Sequence, residues 1–123
     1  LSNENLFRIQ SEAIRKAAEE SPCVFVGRCA DYVLRDHKNI VTVFITADLD
    51  DRIANVQRLN NCSPEEARKI ISNKEESRSS YYNYYTGKTW GSSASYDLCV
   101  NSSRLGLEGT KQFIADFIRK VQK

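Results

Sequence analysis

A chain of 123 residues is long enough for one domain with a useful hydrophobic core, and its composition, with 41% hydrophobic and 28% charged residues, is typical of a soluble globular protein. A formal net charge of +2 is too small to mark a dedicated nucleic-acid binder, so any electrostatic argument has to rest on local clusters of charge. The single histidine, and the absence of a C-x-x-C pair among the four cysteines, argue against a structural zinc site.

The remaining composition predicts an intracellular setting. The chain has no signal peptide and no apolar run of membrane length, so we expect a cytoplasmic protein with reduced thiols and no membrane partner. Cys23 and Cys99 lie in apolar runs, and we expect both to be small core residues. The chain contains no methionine and so cannot begin at its own start codon, which predicts that it is part of something longer.

The first predicted elements alternate between helix and strand. Apolar residues at helical spacing predict a helix over about residues 3–20. Cys23–Val26 is a short unbroken apolar run that ends at Gly27, which is typical of a strand covered on both faces in a parallel sheet. The amphipathic segment Ala30–Leu34 predicts the start of another helix, and the β-branched run Ile40–Ile45 predicts a second strand.

Two helix starts follow. Asp48 is expected to cap the helix after the second strand. The run Ser63-Pro64-Glu65-Glu66 has a capping serine, a proline at the first helical position and a glutamate at the third, so it predicts a helix from Pro64 to about Ser80.

The C-terminal stretch completes an α/β alternation. Asp97–Val100 predicts a third strand and residues 101–106 predict a turn. Apolar residues between Leu107 and Val121 recur on one face of a final helix. The order of the elements predicts an α/β fold, with a parallel sheet and crossover helices, over a single domain at residues 1–123.

The triplet Gly87-Lys88-Thr89 carries the letters that end a phosphate-binding loop. That pattern requires a glycine five positions before Gly87, and Tyr82 stands there. A charged helix precedes the triplet instead of an apolar strand, and bulky tyrosines prevent the backbone from wrapping closely around a phosphate. We therefore predict that this triplet is not a phosphate-binding loop.

Better phosphate chemistry follows the first predicted strand. Gly27 permits close approach and Arg28 offers a bidentate fork, at the carboxyl end of a strand where ligands bind in open α/β sheets. On these two residues alone, a surface arginine after a turn glycine is the simpler interpretation. Further basic residues lie on two successive predicted helices, where most are expected to face solvent beside glutamates: Arg52, Arg58, Arg68, Lys69, Lys74 and Arg78.

Three segments, in order, extend these observations over nearly the whole chain. They are V-G-R-C-A-D-Y-V-L at residues 26–34, E-x-x-R-x-x-Y-Y-N-Y-Y-T-G-K-T-W-G at residues 75–91, and Y-D-L-C-V-N-S-S-R-L-G at residues 96–106. Together they resemble the cytidylate kinase-like proteins, a bacterial branch of the nucleoside monophosphate kinases within the P-loop fold. The resemblance implies a P-loop kinase-like parallel sheet flanked by helices, with the family's N-terminal P-loop strand and helix missing from this chain.

That missing strand would lie between the two strands predicted at residues 23–26 and 40–45. We expect upstream residues or another chain to complete the sheet, because each strand would otherwise expose a bare edge. The chain alone is expected to be inactive.

The resemblance implies transfer of the γ-phosphoryl group of ATP to a nucleoside monophosphate, with CMP or dCMP as the expected acceptor, Mg²⁺ ligands upstream and no metal ligand in this chain. It implies that Gly27, Arg28 and Asp31 bind the acceptor, and that Arg58 and Arg78 are catalytic arginines of a lid-like segment at about residues 59–91. Its remaining assignments are a loop beside the ATP base, Asn101, Ser103, Arg104 and Leu105, and lid aromatics, Tyr81, Tyr85 and Trp90.

Two other interpretations stay open. The fold could serve as a non-catalytic RNA-binding module, in which tyrosines stack on bases and arginines follow the backbone, although the modest net charge disfavours nucleic acid. It could also serve as a regulator that binds a nucleotide without transferring a phosphoryl group. The acceptor is open as well, because cytidylate kinases have an aspartate directly after the arginine that matches Arg28, where this chain has Cys29.

Overall fold

The structure, a computed structural model, describes residues 3–122, and the chain divides into two compact units, Leu1–Ile40 and Val41–Lys123. It is a helix-rich α/β fold with a small parallel sheet of two strands flanked by helices, which confirms the predicted fold class. The elements in chain order are α1 (Asn3–Glu20), α2 (Ala30–Val33), β1 (Val43–Thr46), α3 (Leu49–Asn60), α4 (Pro64–Thr86), a 3-10 turn (Ser93–Ser95), β2 (Leu98–Asn101) and α5 (Ser102–Val121).

The first unit packs α1 against α2. Ile14 of α1 meets Ala30 and Val33 of α2 in a small buried cluster. Ser11 is also buried on α1, and its Oγ donates a hydrogen bond to the Phe7 carbonyl oxygen at 2.8 Å, so this polar side chain is satisfied within its own helix. The predicted helix at residues 3–20 is confirmed.

Residues 23–26 do not form the predicted buried strand. Val24 and Val26 are 93% and 91% exposed, and Cys23 is exposed as well, so the prediction of a core cysteine at position 23 is wrong. A strand needs a neighbour for its backbone donors and acceptors, and within residues 3–122 the two strands that form pair only with each other. An apolar run indicates a preference for burial, but it does not supply the partner.

The sheet of the second unit pairs β1 with β2 in parallel. Val43 lies opposite Leu98, and Thr46 lies opposite Asn101. Cys99 is exposed, so its prediction as a core residue is wrong as well, because alternate residues of a strand face opposite sides and a sheet of two strands is incompletely covered.

A reciprocal contact between Thr42 and Asp97 closes the amino ends of the two strands. The Thr42 backbone N–H and hydroxyl donate to Asp97 Oδ2 at 2.8 and 3.1 Å. The Asp97 backbone N–H lies 2.8 Å from Thr42 Oγ1 and 3.0 Å from the Thr42 carbonyl oxygen. These contacts place both strands in one register before the ladder begins, and we call them the amino-end clasp.

A second set of contacts, the carboxyl-end clasp, joins the other ends of the strands. The Asp48 backbone N–H donates to Ser103 Oγ at 2.8 Å, and Asn101 Nδ2 donates to Asp48 Oδ1 at 3.0 Å. The Ser102 hydroxyl donates to the Thr46 carbonyl oxygen at 2.9 Å. Asp48 does stand at the N-cap position of α3, but its carboxylate makes no capping bond to the helix, so the predicted capping role is wrong.

Helices α3 and α4 form an antiparallel hairpin. Ile53 of α3 packs against Ala67 and Ile71 of α4 in a buried cluster. The predicted start of α4 is confirmed by a full capping box, in which Ser63 Oγ accepts from the Glu66 N–H at 3.1 Å and Glu66 Oε1 accepts from the Ser63 N–H at 3.2 Å. The helix continues to Thr86 instead of ending near Ser80.

The predicted turn at residues 101–106 is largely helical. Helix α5 starts at Ser102, directly after β2, and is interrupted at Gly106, whose φ of 72° and ψ of 173° are not helical. The predicted apolar face fails at its first member, since Leu107 is 87% exposed, while Thr110 is the buried residue at 4%. None of the helices within residues 3–122 is both long and apolar enough to cross a membrane.

Candidate functional site

A left-handed turn precedes α2 and carries two of the predicted acceptor-binding residues. Gly27, Arg28 and Cys29 have φ angles of 73°, 59° and 57°. A Cβ atom at position 27 would meet nothing within 4 Å. Glycine is therefore favoured there by the positive φ angle and not by a shortage of space. Arg28 and Cys29 adopt the same region at a cost of roughly 1–2 kcal/mol per residue. Such strain is concentrated at functional sites.

Arg28 is exposed and has no hydrogen bond or ion pair with any residue between 3 and 122. Arg35, nearby in the chain, is engaged: its guanidinium lies 4.0 Å from the centre of the Tyr32 ring, and its Nη1 donates to the Tyr32 carbonyl oxygen at 2.8 Å. Asp31 lies in the first turn of α2, and its Oδ1 accepts from the Tyr32 N–H at 2.9 Å. The unit therefore brings Gly27, Arg28 and Asp31 within one turn of chain, with the Arg28 fork open to an anion.

Cys29 occupies the buried side of this turn. Burial raises the pKa of the Cys29 thiol from 9.0 to about 11, and the negative charge of Asp31 adds to the rise. The thiol stays protonated at neutral pH, where it packs as a small apolar group and does not act as a nucleophile.

The two predicted catalytic arginines lie toward opposite ends of the α3–α4 hairpin. Arg58 is exposed near the end of α3, and its Nη2 donates to Asn55 Oδ1 at 2.7 Å, so a neutral group orients it without cancelling its charge. Arg78 is exposed on α4 and has no hydrogen bond or ion pair within the described chain. Arg52 and Glu75 are in contact across the hairpin, and from this contact Arg58 lies six residues toward one end and Arg78 three residues toward the other. At a rise of about 1.5 Å per residue, about 13 Å along the hairpin axis separates the two arginines. The structure does not bring these two backbones together.

Arg78 stands on a stretch of α4 that lacks buried side chains. The buried residues of α4 are Ala67 and Ile71 near its start and Tyr82 and Thr86 near its end. Between them, residues 72–81 are exposed or half-buried and include four serines. The arginine is therefore held on a long helix that is packed at both ends and open in the middle.

The predicted lid aromatics fall into two groups. Trp90 packs edge-on against Phe44 of β1, with ring centroids 5.1 Å apart, and Tyr96 lies 5.0 Å from the same ring. Tyr81 and Tyr85 instead pair with each other on α4 at 4.7 Å. Packing onto the sheet accounts for Trp90, whereas the Tyr81–Tyr85 pair stays on the helix that carries Arg78.

The Gly87-Lys88-Thr89 triplet follows the carboxyl end of α4. Gly87 ends the helix with φ 70°, while a phosphate-binding loop leads into the amino end of a helix. Lys88 Nζ donates to the Ser95 carbonyl oxygen at 3.1 Å, and the Trp90 N–H donates to Asn83 Oδ1 at 2.8 Å. These hydrogen bonds join the segment to the following turn and to the end of α4, in agreement with the prediction that it is not a P-loop.

The residues predicted beside the ATP base also divide. Asn101 and Ser103 belong to the carboxyl-end clasp, and Asn101 Oδ1 accepts from the Ser103 N–H at 2.9 Å as the N-cap of α5. Arg104 and Leu105 are exposed in the helical turn before Gly106. Two of the four side chains therefore hold the strand ends together, and the other two remain accessible to a ligand.

The sequence interpretation missed one charged pair and one aromatic anchor. Arg52 was expected to face solvent, but its Nη2 contacts Glu75 Oε1 across the hairpin. Phe44 was assigned only to a strand, yet it is the ring on which Trp90 and Tyr96 pack. Aligning α3 and α4 as antiparallel neighbours could have indicated the first contact, whereas the second depends on how the loop after α4 returns to the sheet.

Comparisons with known proteins agree with this fold. A crystal structure of an uncharacterized protein from Eubacterium ventriosum superposes with a TM-score of 0.92 at 27% sequence identity, covering 98% of this chain and 68% of that one. Among curated proteins, none matches the chain significantly. The family described as the cytidylate kinase-like family matches residues 1–104. The match takes in the left-handed turn, the hairpin and both strands, and the chain therefore belongs to the cytidylate kinase-like family.

Proposed function

We propose that this protein is a nucleoside monophosphate kinase, which transfers the γ-phosphoryl group of ATP to CMP or dCMP. Membership of the cytidylate kinase-like family supports a nucleotide kinase-like function. The observation that carries the proposal is Arg28, whose guanidinium has no partner within residues 3–122 and is held in a left-handed turn beside Gly27. A fold that keeps an arginine in this strained backbone region gains nothing from it in packing, because the side chain is exposed.

The chain would contribute by positioning phosphates and neutralising their charge, since phosphoryl transfer requires little covalent chemistry from the protein. In this proposal Arg28 binds the acceptor phosphate as a bidentate fork, with Gly27 permitting the left-handed turn that carries it and Asp31 close in the chain. Arg78 and Arg58 stabilise negative charge on the transferring group. Tyr81, Tyr85 and Trp90 help to exclude water, and Arg104 and Leu105 border the donor base.

The described residues fit the phosphates of ATP better than they fit its metal ion. Within the described part of the chain, Arg28 and Arg78 are unpaired and exposed, and Arg58 is bonded only to a neutral amide. No group of three or more histidine, cysteine, aspartate or glutamate side chains within residues 3–122 is arranged to hold a metal ion. The proposal therefore gives these residues no role in binding Mg²⁺.

Phosphoryl transfer from ATP, measured with the full-length protein over a panel of nucleoside monophosphates, tests the proposal. We expect transfer to cytidine nucleotides, and we expect Arg28→Ala to raise the KM for the acceptor. Absence of transfer to every acceptor, with ATP binding retained, would favour a non-catalytic regulator. Binding to single-stranded RNA that weakens steeply as salt rises would favour the nucleic-acid interpretation.

Arg78→Ala provides the sharpest single substitution. If Arg78 stabilises the transferring group, kcat should fall by about 10³-fold, as it does when an arginine finger is removed. Arg68→Ala is the matched control, because Arg68 is an exposed arginine on the same helix with no proposed role. A fall in kcat of less than about threefold for Arg78→Ala would indicate that Arg78 is an ordinary solvated side chain.

A further inference from the structure

The contact between Arg52 and Glu75 differs from the other ion pairs of the described chain. Three of the four pairs link residues within one helix at spacings of three or four: Arg8 with Glu12, Lys111 with Glu108, and Arg119 with Asp116. Arg52 and Glu75 instead join α3 to α4, and their side chains are 33% and 42% exposed. This pair therefore fixes the position of one side chain relative to a different element.

Glu75 is the residue best placed to neutralise Arg78. On a helix, side chains three and four positions apart are neighbours. The residues so placed around Arg78 that could reach it are Lys74, Glu75, Tyr81 and Tyr82, and among these only Glu75 carries a negative charge. Arg78 nevertheless has no ion pair in the described chain, because the Glu75 carboxylate is turned toward Arg52.

The start of α3, which carries Arg52, is bonded to the carboxyl end of the sheet. Its backbone N–H donates to the Asp48 carbonyl oxygen at 3.0 Å in the first turn of α3. The Asp48 N–H is bonded to Ser103 Oγ, and its carboxylate is bonded to Asn101 Nδ2. The carboxyl-end clasp thus fixes the base of α3, from which Arg52 reaches across to α4.

We propose that Arg52 is a positioning residue, which binds the Glu75 carboxylate and thereby keeps the Arg78 guanidinium unpaired and available to a phosphate group. This inference rests on the proposed role of Arg78 as a phosphate-binding residue. When Arg52 is removed, the Glu75 carboxylate loses its partner and pairs with Arg78 one turn away. The same carboxylate then also repels an approaching anion.

This role makes a different prediction from a simple tie between two helices. If the ion pair only joined the two helices, Arg52→Gln and Glu75→Gln would each remove it with the same effect, and combining the two changes would not restore it. A competing carboxylate does harm only when Arg52 is absent and Glu75 is present. Arg52→Gln should therefore weaken anion binding, Glu75→Gln should not, and the double variant should recover the original affinity.

Calorimetric titration of the full-length protein with inorganic tripolyphosphate, at low salt, measures this directly. We expect Arg52→Gln to weaken binding by about three- to fivefold, a size set by the modest strength of a partly exposed ion pair. Arg52→Lys retains a cation opposite Glu75 and should bind as the original protein does. Arg119→Gln, which removes the same charge from a pair within α5, is the matched control and should have little effect.

The Arg78→Ala background separates the inference from a general change in charge. If Arg52 acts through Arg78, then Arg52→Gln should cause no further loss in that background, whereas a long-range field effect would cause the same loss in both. Tripolyphosphate binding that does not depend on Arg78, or a Glu75→Gln variant as weak as Arg52→Gln, would overturn the proposal. Since tripolyphosphate binding requires no transfer, a protein that transfers nothing but shows this pattern would refute the kinase function and leave the inference standing.

Discussion

At positions 28 and 29, two neighbouring side chains of one strained turn have opposite environments. Arg28 is exposed and unpaired in the described chain, while Cys29 is buried. Both residues have a positive φ in the left-handed region, and α2 starts directly after Cys29. The residue sequence Gly-Arg-Cys indicates a turn, but it does not reveal that all three residues have positive φ.

Cys29 should be protected from alkylation while the exposed cysteines react. At pH 8, iodoacetamide should modify Cys23 and Cys99 of the native protein, because both are accessible, and should leave Cys29 unmodified, because the raised thiol pKa and burial suppress its thiolate. Mass spectrometry of the digested protein identifies the labelled sites. Labelling of Cys29 at the same rate as Cys23 would show that the turn opens readily.

The same thiol should make stability depend on alkaline pH. The pKa of the Cys29 thiol is 9.0 in an unfolded chain and about 11 in the folded protein, so between these pH values the folded state binds more protons than the unfolded state. The free energy of unfolding should therefore fall as pH rises from about 9 to about 11, by on the order of 2 kcal/mol. Urea unfolding across this range measures the slope, and Cys29→Ala should reduce it.

At the scale of elements, the two clasps explain how so short a sheet keeps its register. The ladder has only four residue pairs, from Val43 opposite Leu98 to Thr46 opposite Asn101. Side-chain contacts outside the ladder close both ends of it. Each clasp joins segments more than fifty residues apart in sequence, so it stabilises a contact that local preferences cannot provide.

Removal of the Asp97 carboxylate should loosen the sheet. Asp97→Ala eliminates the acceptor of two Thr42 hydrogen bonds and should lower the free energy of unfolding by about 1–2 kcal/mol, as measured by urea denaturation. Asp116→Ala is the matched control, because that carboxylate pairs only with an exposed arginine within α5, and it should change stability by less than about 0.5 kcal/mol. Equal losses in the two variants would mean that the clasp contributes nothing specific.

Elements encoded by local patterns were predictable, and elements that depend on a distant partner were not. The apolar spacing of α1 and the capping box at Ser63 predicted helices where the structure has them. Residues 23–26 have a strand-like composition but no paired strand among residues 3–122, and residues 101–106 have turn residues but lie where Asn101 caps a helix. For the site, the arginines could be named from sequence, but the Arg52–Glu75 contact requires knowing how α3 and α4 align.

For the whole molecule, the uneven distribution of packing predicts an uneven resistance to hydrogen exchange. Backbone amides of residues 23–26 should exchange rapidly in the isolated chain, because no described strand pairs with them, while amides of the β1–β2 ladder should exchange more slowly. Exchange followed by mass spectrometry of peptides measures both regions. Slow exchange at residues 23–26 would reveal pairing with another segment or another chain.

The left-handed turn also has a consequence for the mutations that position 28 tolerates. On folding alone, arginine is a poor choice where φ is 59°, and glycine or asparagine would be easier to accommodate. A saturation library at position 28, sorted only for stable expression, should therefore enrich glycine and asparagine. The same library selected for phosphoryl transfer should retain arginine, so the two selections should diverge at this one codon.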